Sequence, residues 1–425
     1  MAEIDDTLPN ETITDEAFVE QEVVVPNEEL ETSSEDVAVT MDEDGGAEIN
    51  FDANAAGALE SDEHFSNLAE IIDEQYLDEL GSNLFDKYTE YKESRGDWED
   101  TYREGLGLLG FKYERRTQPF RGASGVNHPV LAEAVTQFQA QAYKELLPAD
   151  GPVRAQILGD ISNEKQDQAN RVKDFMNYQI MDQMPEYEPE FDQMLFYLPL
   201  SGSTFKKIYY DDLLGRAVSK FVPADDLVVP YSATSLEDAE AIVHVIRMSE
   251  NEIRKQMVSG FYKDIEIGEP PVVENQLKDT ELRLEGISKN SNQDQFTLLE
   301  MHVDLDLEGF EDIGEDGEPT GIKLPYIVTV LESTNEILSV RRNYTEEDPT
   351  KTKIKYFVQF KFLPGTGFYG FGLIHMIGGL TRTATAALRQ LLDAGTLANL
   401  PAGFKTRGLR TVSYTHLTLP TIYSV

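Results

Sequence analysis

Gly365, Gly367 and Gly370 fall at G-x-G-x-x-G spacing within PGTGFYGFGLIHMIGGL, after the strand-like run YFVQFKF and before a helix-like run. In a dinucleotide-binding unit, such glycines bring a pyrophosphate onto a helix N-terminus. That unit also needs a buried parallel strand and an acid at the end of the next strand. Here Gln359 and Lys361 fall between Phe357, Phe360 and Phe362, which marks a strand with one wet face and an antiparallel partner. Asp393 is at a suitable distance but lies in ALRQLLDAG, inside a helix. The context therefore argues against a nicotinamide cofactor. Together with Gly372, these glycines read as a tight turn into a long helix, required where backbone is crowded.

Other chemistry is thin. The chain has no cysteine, which removes disulfides, thiolate metal sites and cysteine nucleophiles together. His64, His128, His244, His302, His375 and His416 are scattered, with no pair at i, i+4 spacing for a metal. No G-x-x-x-x-G-K-[ST] phosphate loop occurs. Asp225 with Asp226, and Glu311 with Asp312, sit in turn sequences and read as solvated carboxylates. DLDLEGFEDIGEDGEPTG lacks regular calcium-loop spacing and reads as an acidic hairpin, and LSGSTF lacks the second glycine of a nucleophile elbow. No catalytic, cofactor-binding or metal-ligating residue is assigned, and the expectation is a protein that is not an enzyme.

The elements that would hold these residues follow from periodicity. The formal net charge of -42 is uneven: the first 86 residues hold 27 acids and no Lys or Arg, leaving 51 acids against 36 bases, or -15, for the rest. Residues 1–62 read as a disordered acidic arm. From Asn67, apolar residues at three-and-four spacing predict two amphipathic helices, with a break at Gly81 and Ser82 and the second starting near Ser94. Another helix is expected from about Pro129 to Leu147, and two more lie on either side of Pro185.

Period two then takes over in TFKKIYYDD, GRAVSKFVPADDLVVP and AEAIVHVIRMS, as expected for an antiparallel sheet. Ser249 and Glu252 form a capping-box pattern, and residues 264–295 read as a mobile loop or insertion. Strands resume in QFTLLEMHVDLDL, IKLPYIVTVLEST, EILSVRRNY and KIKYFVQFKFLP, and a helix runs from Gly372 to about Leu400. The fold class expected is α+β, with helices packed on antiparallel strands. No apolar run is long enough to span a bilayer and the N-terminus does not resemble a secretion signal, so a soluble protein is expected.

The last helix opens with GGLTRTATAA, almost all small or Thr residues. Such a composition costs helix propensity, about 1 kcal/mol per Gly, and suits close helix-to-helix contact, as between equivalent helices around a ring. Arg382 and Arg389 are seven apart on one face, with Asp393 four beyond Arg389 in ion-pair range.

LGFKYERRTQPFRGASGVNHPVLAEAVTQFQAQAYKELLPADGPV, FVPADDLVVP followed by AIVHVIRMSENEIRKQ, and FLPGTGFYGFGLIHMIGGLTRTATAALRQLLDAGTLANLPAGFK occur in that order. Together they resemble the portal protein of tailed bacteriophages, in its short-tailed-phage form, from about Phe65 to Arg410. The resemblance implies a homo-oligomeric, typically dodecameric, ring at one capsid vertex of the virion, assembled in the host cytoplasm. Double-stranded DNA is packaged through it by the terminase large subunit and later ejected. Capsid, scaffolding and tail adaptor proteins are the other implied partners.

By this analogy residues 63–365 form the wing, helical over 67–200 and β-rich over 203–363, 366–400 form a stem helix, and 401–410 begin the clip. Gly365, Gly367, Gly370 and Gly372 would mark the turn from wing to stem. Gly378, Gly379, Thr381, Arg382, Thr385, Arg389 and Asp393 become candidates for the channel or the contact between subunits. The family's second stem helix, tunnel loop and crown or barrel have no counterpart in the sequence. VSYTHLTLPT reverse-translates to a transposon-end adapter, so 411–425 read as a sequencing artefact. The competing readings are another virion subunit of tail or capsid, and an NAD-dependent oxidoreductase.

Overall fold

The computed structural model describes residues 38–41, 47–50 and 64–399, apart from 112–114, 158, 160–161, 212–213, 269–275, 287–294, 314–318 and 366. The chain divides into two units, Met1–Glu63 and His64–Val425. Within the first, β1 (Ala38–Met41) and β2 (Ala47–Asn50) pair antiparallel. The arm therefore carries one short hairpin where no regular structure was expected. The rest of it lies outside the described residues, as do the clip segment 401–410 and the segment 411–425.

The second unit is α+β. Helix α1 (Glu74–Ser94) starts where the Asp73 carboxylate accepts from the backbone N–H groups of Gln75 and Tyr76. It ends at Arg95, and α2 (Gly96–Leu108) follows at once. The break expected at Gly81 is absent. A Cβ on Gly81 would lie 2.2 Å from the Asn335 carbonyl oxygen, so this glycine lets α1 press onto the turn at Asn335 and does not interrupt the helix. Helices α3 (Val130–Leu146), α4 (Asn163–Tyr178, continued by a π turn to Gln183) and α5 (Tyr187–Ser201) complete the helical half.

Strands β3 (Ser203–Asp211), β4 (Arg216–Pro223) and β10 (Phe357–Lys361) form a three-stranded sheet in the order β10-β3-β4. Strands β5 (Leu227–Val228), β6 (Ala241–Ser249), β7 (Gln295–Leu305), β8 (Leu324–Leu331) and β9 (Ile337–Arg342) form a five-stranded sheet in sequence order. Every pairing in both sheets is antiparallel.

The five-stranded sheet is covered on both faces, which explains the nearly unbroken apolar run of β8. Leu299, Met301, Val303, Val328 and Val330 pack with Leu77, Leu84 and Tyr88 of α1. Phe296, Leu298, Leu331 and Leu338 face the other way, with Ile253 of α6 (Glu250–Val258). Helix α6 opens on the capping box expected at Ser249 and Glu252. The three-stranded sheet lays Phe221 and Phe360 against Phe191, Met194 and Leu195 of α5, and Phe205 and Val222 against Phe368 on its other side.

Within residues 264–295, read from the sequence as loop, Gln276–Glu285 form helix α7. Its Leu277 and Leu284 join the cluster of Tyr102, Leu106 and Leu131. The acidic hairpin expected after β7 closes with an antiparallel bridge between Ile313 and Pro319. Helix α8 (Leu373–Asn399) has 27 residues, close to the expected span, and is about 40 Å long.

Candidate functional site

Strand β10 pairs antiparallel with β3, so the turn after it is no part of a parallel βαβ unit. The glycines solve a crowding problem instead. The end of α5 crosses the start of α8 backbone to backbone: a Cβ on Gly372 would lie 2.3 Å from the Leu200 carbonyl oxygen and 2.7 Å from the Gly202 nitrogen. Gly370 has φ +65° and a Cβ there would meet the Leu363 carbonyl oxygen at 2.9 Å. At Gly365 the added atom would meet the Phe371 ring at 2.9 Å and the Gly370 Cα at 3.5 Å, and at Gly367 it would meet nothing within 4 Å. The second glycine of the spacing, the one a pyrophosphate would need bare, is thus the one this fold does not need. His375 closes the turn, its Nδ1 accepting from the Gly372 N–H at 3.1 Å, and partial burial lowers its pKa.

The seven stem candidates are spread around α8. Ile374, Gly378, Thr381 and Thr385 form one buried strip along the first half of the helix, and Asp393, about a quarter turn around from it, is buried nearer the C-terminal end. Gly378 packs against Leu108 of α2, and Gly105 of α2 receives Ile374, whose Cδ1 would be 2.3 Å from an added Cβ. The close helix contact inferred from small residues is therefore made first within the chain, between α8 and α2. Thr381 Oγ1 turns back to the Ile377 carbonyl at 3.0 Å, and Thr385 Oγ1 accepts from the His128 N–H at 3.0 Å. Asp393 Oδ1 accepts from the Ser124 N–H at 2.6 Å. Arg389 donates to the Val126 carbonyl at 2.8 Å and to Asn127 Oδ1. Arg382 reaches Glu104 at 2.8 Å, both side chains largely exposed. These residues clasp the 123–128 segment and α2, and Gly379 alone of the seven points at open space.

The opposite side of α8 is bare. At 100° per residue, Met376, Leu380, Thr383, Ala387, Leu391 and Ala394 fall on one line, about 160° around from the buried strip. Of these, Met376 is 58% exposed, Leu380 63% and Leu391 71%. Beside the clasp, Leu108, Arg116, Phe120, Asn127, Arg382 and Arg389 help line a groove of about 590 Å³.

Two buried polar clusters escaped the sequence reading. In the first, Arg95 is buried and donates to the carbonyls of Ala224, Asp225 and Leu227 at 3.2, 2.6 and 2.8 Å, and to the Tyr369 hydroxyl at 3.0 Å. Trp98 stacks on Tyr369 with ring centroids 4.4 Å apart, so the helices, both sheets and the glycine turn meet at this point. Asp225 and Asp226, read as solvated, are not. Asp226 forms a two-pronged pair with Arg247 at 2.8 and 3.1 Å, and Asp225 is buried. Burial first, then the charges of Asp226 and Glu281, push the Asp225 carboxyl up to about 7.

In the second cluster, Glu300 meets Lys207 Nζ at 2.6 Å and His302 Nε2 at 3.0 Å, with His244 beside them. Burial alone would raise the Glu300 pKa, but Lys207 and the two imidazoles outweigh it and hold the group well below its usual range. Period two could have found this cluster, because Glu300 and His302 share a strand face and His244 is the register partner of Glu300.

Among the described residues no group of three or more His, Cys, Asp or Glu is arranged to hold a metal ion, and no helix is long and apolar enough to cross a membrane. Compared with protein-family models and with curated proteins, the chain matches none.

Proposed function

We propose that this chain is a ring-forming portal-type subunit, with α8 as the stem. The observation that carries the proposal is the two-sided character of α8. One strip is fixed to its own subunit, while the line through Met376, Leu380 and Leu391 offers apolar and small side chains to solvent over about 22 Å. An exposed apolar stripe of that length on a folded chain marks a surface that another molecule covers. A second copy presenting its own α8 flank supplies a matching partner, and a head-to-tail contact of this kind closes into a ring when the rotation allows.

The electrostatics of α8 fit a conduit for duplex DNA. Its only cations are Arg382 and Arg389, one paired with Glu104 and the other held by Val126 and Asn127. Each Lys or Arg contact with phosphate adds a counterion-release term that a sliding duplex would have to break at every step. A stem whose guanidinium groups are already engaged lets phosphate pass. The terminase, capsid, scaffolding and tail adaptor proteins are the partners that this reading carries with it, in the virion and in the host cytoplasm during assembly.

The experiment is light scattering on the purified chain beside the double variant Leu380→Glu, Leu391→Glu. The expected result is a mass many times 47.8 kDa for the chain, and a folded monomer for the variant with an unchanged melting temperature. A monomeric parent chain, or a variant of undiminished mass, would overturn the proposal.

A further inference from the structure

Asp225 sits in the turn between β4 and β5, and neither of its carboxyl oxygens has a hydrogen-bond partner. The Trp98 Nε1 and the Tyr102 hydroxyl are also buried without partners. Unpaired buried polar groups are rare in folded proteins, and three in one neighbourhood mark a place where stability has been given up.

The surrounding charges are already committed. From the turn itself, Asp226 is matched by Arg247 of β6. Glu281 of α7 is matched by Lys278 of the same helix at 2.9 Å. Arg95 pairs with Glu99 at 2.8 Å and spends its other nitrogens on carbonyls and on Tyr369. Tyr102 of α2 and Tyr197 of α5 face the same carboxylates and are held in the neutral form by burial. An ionised Asp225 would be a third anion beside Asp226 and Glu281, with no cation of its own. The neutral acid has no such conflict.

Helix α7 is the element that brings a second carboxylate to Asp225. It has 10 residues, is too short to be stable alone, and its apolar attachment to α2 is Leu277 and Leu284. It carries Glu281, whose charge raises the Asp225 pKa. We propose that Asp225 is a proton-operated latch: in its neutral form it lets α7 lie on α2, and its ionisation drives α7 off by repulsion of Glu281 and admits water to the cluster. The raised pKa places this change near neutrality. The latch adjoins the Arg95, Trp98 and Tyr369 junction at the foot of α8, so loosening it would be felt where the stem begins. It does not depend on the ring reading, because each group named belongs to one chain.

Trp98 is the only tryptophan and stacks within the cluster, 5.5 Å from the Tyr102 ring, so it reports directly. Trp98 fluorescence and amide exchange of residues 276–285 are followed on the full chain between about pH 5.5 and pH 8.5. Expected is a fluorescence transition centred near neutrality, with exchange of α7 rising about tenfold beyond the intrinsic pH effect across it. Asp225→Asn should abolish both changes and leave α7 protected throughout, whereas histidine titration elsewhere would survive that substitution. Glu281→Gln, which removes one of the charges that raise the Asp225 pKa, should move the fluorescence transition to lower pH and shrink the rise in α7 exchange, and it keeps the test open if Asp225→Asn does not fold. Exchange of α7 that is flat with pH in the parent chain would overturn the proposal. So would a transition that persists in Asp225→Asn, or one that Glu281→Gln leaves in place.

Discussion

A methyl group added at Gly372 would have to share space with the Leu200 carbonyl oxygen 2.3 Å away, a backbone atom that cannot rotate aside. Gly372→Ala should therefore cost about 3 kcal/mol or more, as overpacking does at its upper end, and Gly367→Ala should be within about 0.5 kcal/mol of the parent. Urea unfolding of the two variants checks this. A cofactor turn would give the reverse order, with Gly367 the intolerant position. Lys206 offers a second residue-scale prediction. Its Nζ is buried without a hydrogen-bond partner over the Tyr187 ring at 3.8 Å, and burial pulls its pKa down to about 8 against the opposing pull of Glu190 and Glu186. Because the folded state favours the neutral amine, the chain holds fewer protons folded than unfolded between about pH 8 and 10.5, and this group makes stability rise with pH across that window. Lys206→Met should remove that rise and leave stability at pH 7 equal or higher, as read by thermal melts across the pH range. Asp225 has the opposite sign: its raised pKa makes stability fall as pH climbs from about 3.8 to about 7.

At the scale of elements, the sequence was informative where the signal is local to the element. The alternation in β3, β6 and β10 and the three-and-four spacing after Asn67 located those strands and the helical pair α1 and α2, and proline and glycine punctuation located α3 to within a few residues. It misled where a residue's role depends on a distant segment. Gly81 looked like a helix break, yet the turn at Asn335, more than 250 positions away, is what requires it to be small. Helix α7 has Leu277, Leu282 and Leu284 in QLKDTELRLE, of which only Leu277 and Leu284 share a face, too few for periodicity to register, and α2 supplies part of the surface that holds it. The Asp225–Asp226 turn has the composition of a solvated loop, and its burial is decided by α2, α5 and α7 closing over it. The candidate stem was legible as a helix, and its small residues read as a contact between equivalent helices of different copies. That part of the contact is made with α2 could not be read, because Gly105 and Ile374 are far apart in sequence. The double change Leu380→Glu, Leu391→Glu belongs at this scale too, because it alters one face of α8 and leaves the strip of Ile374, Gly378, Thr381 and Thr385 untouched.

For the whole molecule, the acidic charge and the bare side of α8 act in opposite directions. A net charge of -42 keeps copies apart in solution unless a specific contact outweighs it, and the apolar line from Met376 to Leu391 is the surface best suited to supply that contact. The prediction depends on salt: screening of the like charges should favour assembly at moderate ionic strength, where the Debye length falls to about 8 Å. Electron microscopy of the purified chain under those conditions tests the central claim most directly. The account predicts closed rings with a central opening, with α8 of every copy next to the hole and its Leu380 and Leu391 side against the neighbouring copy. Monodisperse single subunits, or assemblies in which that side of α8 still faces solvent, would contradict it.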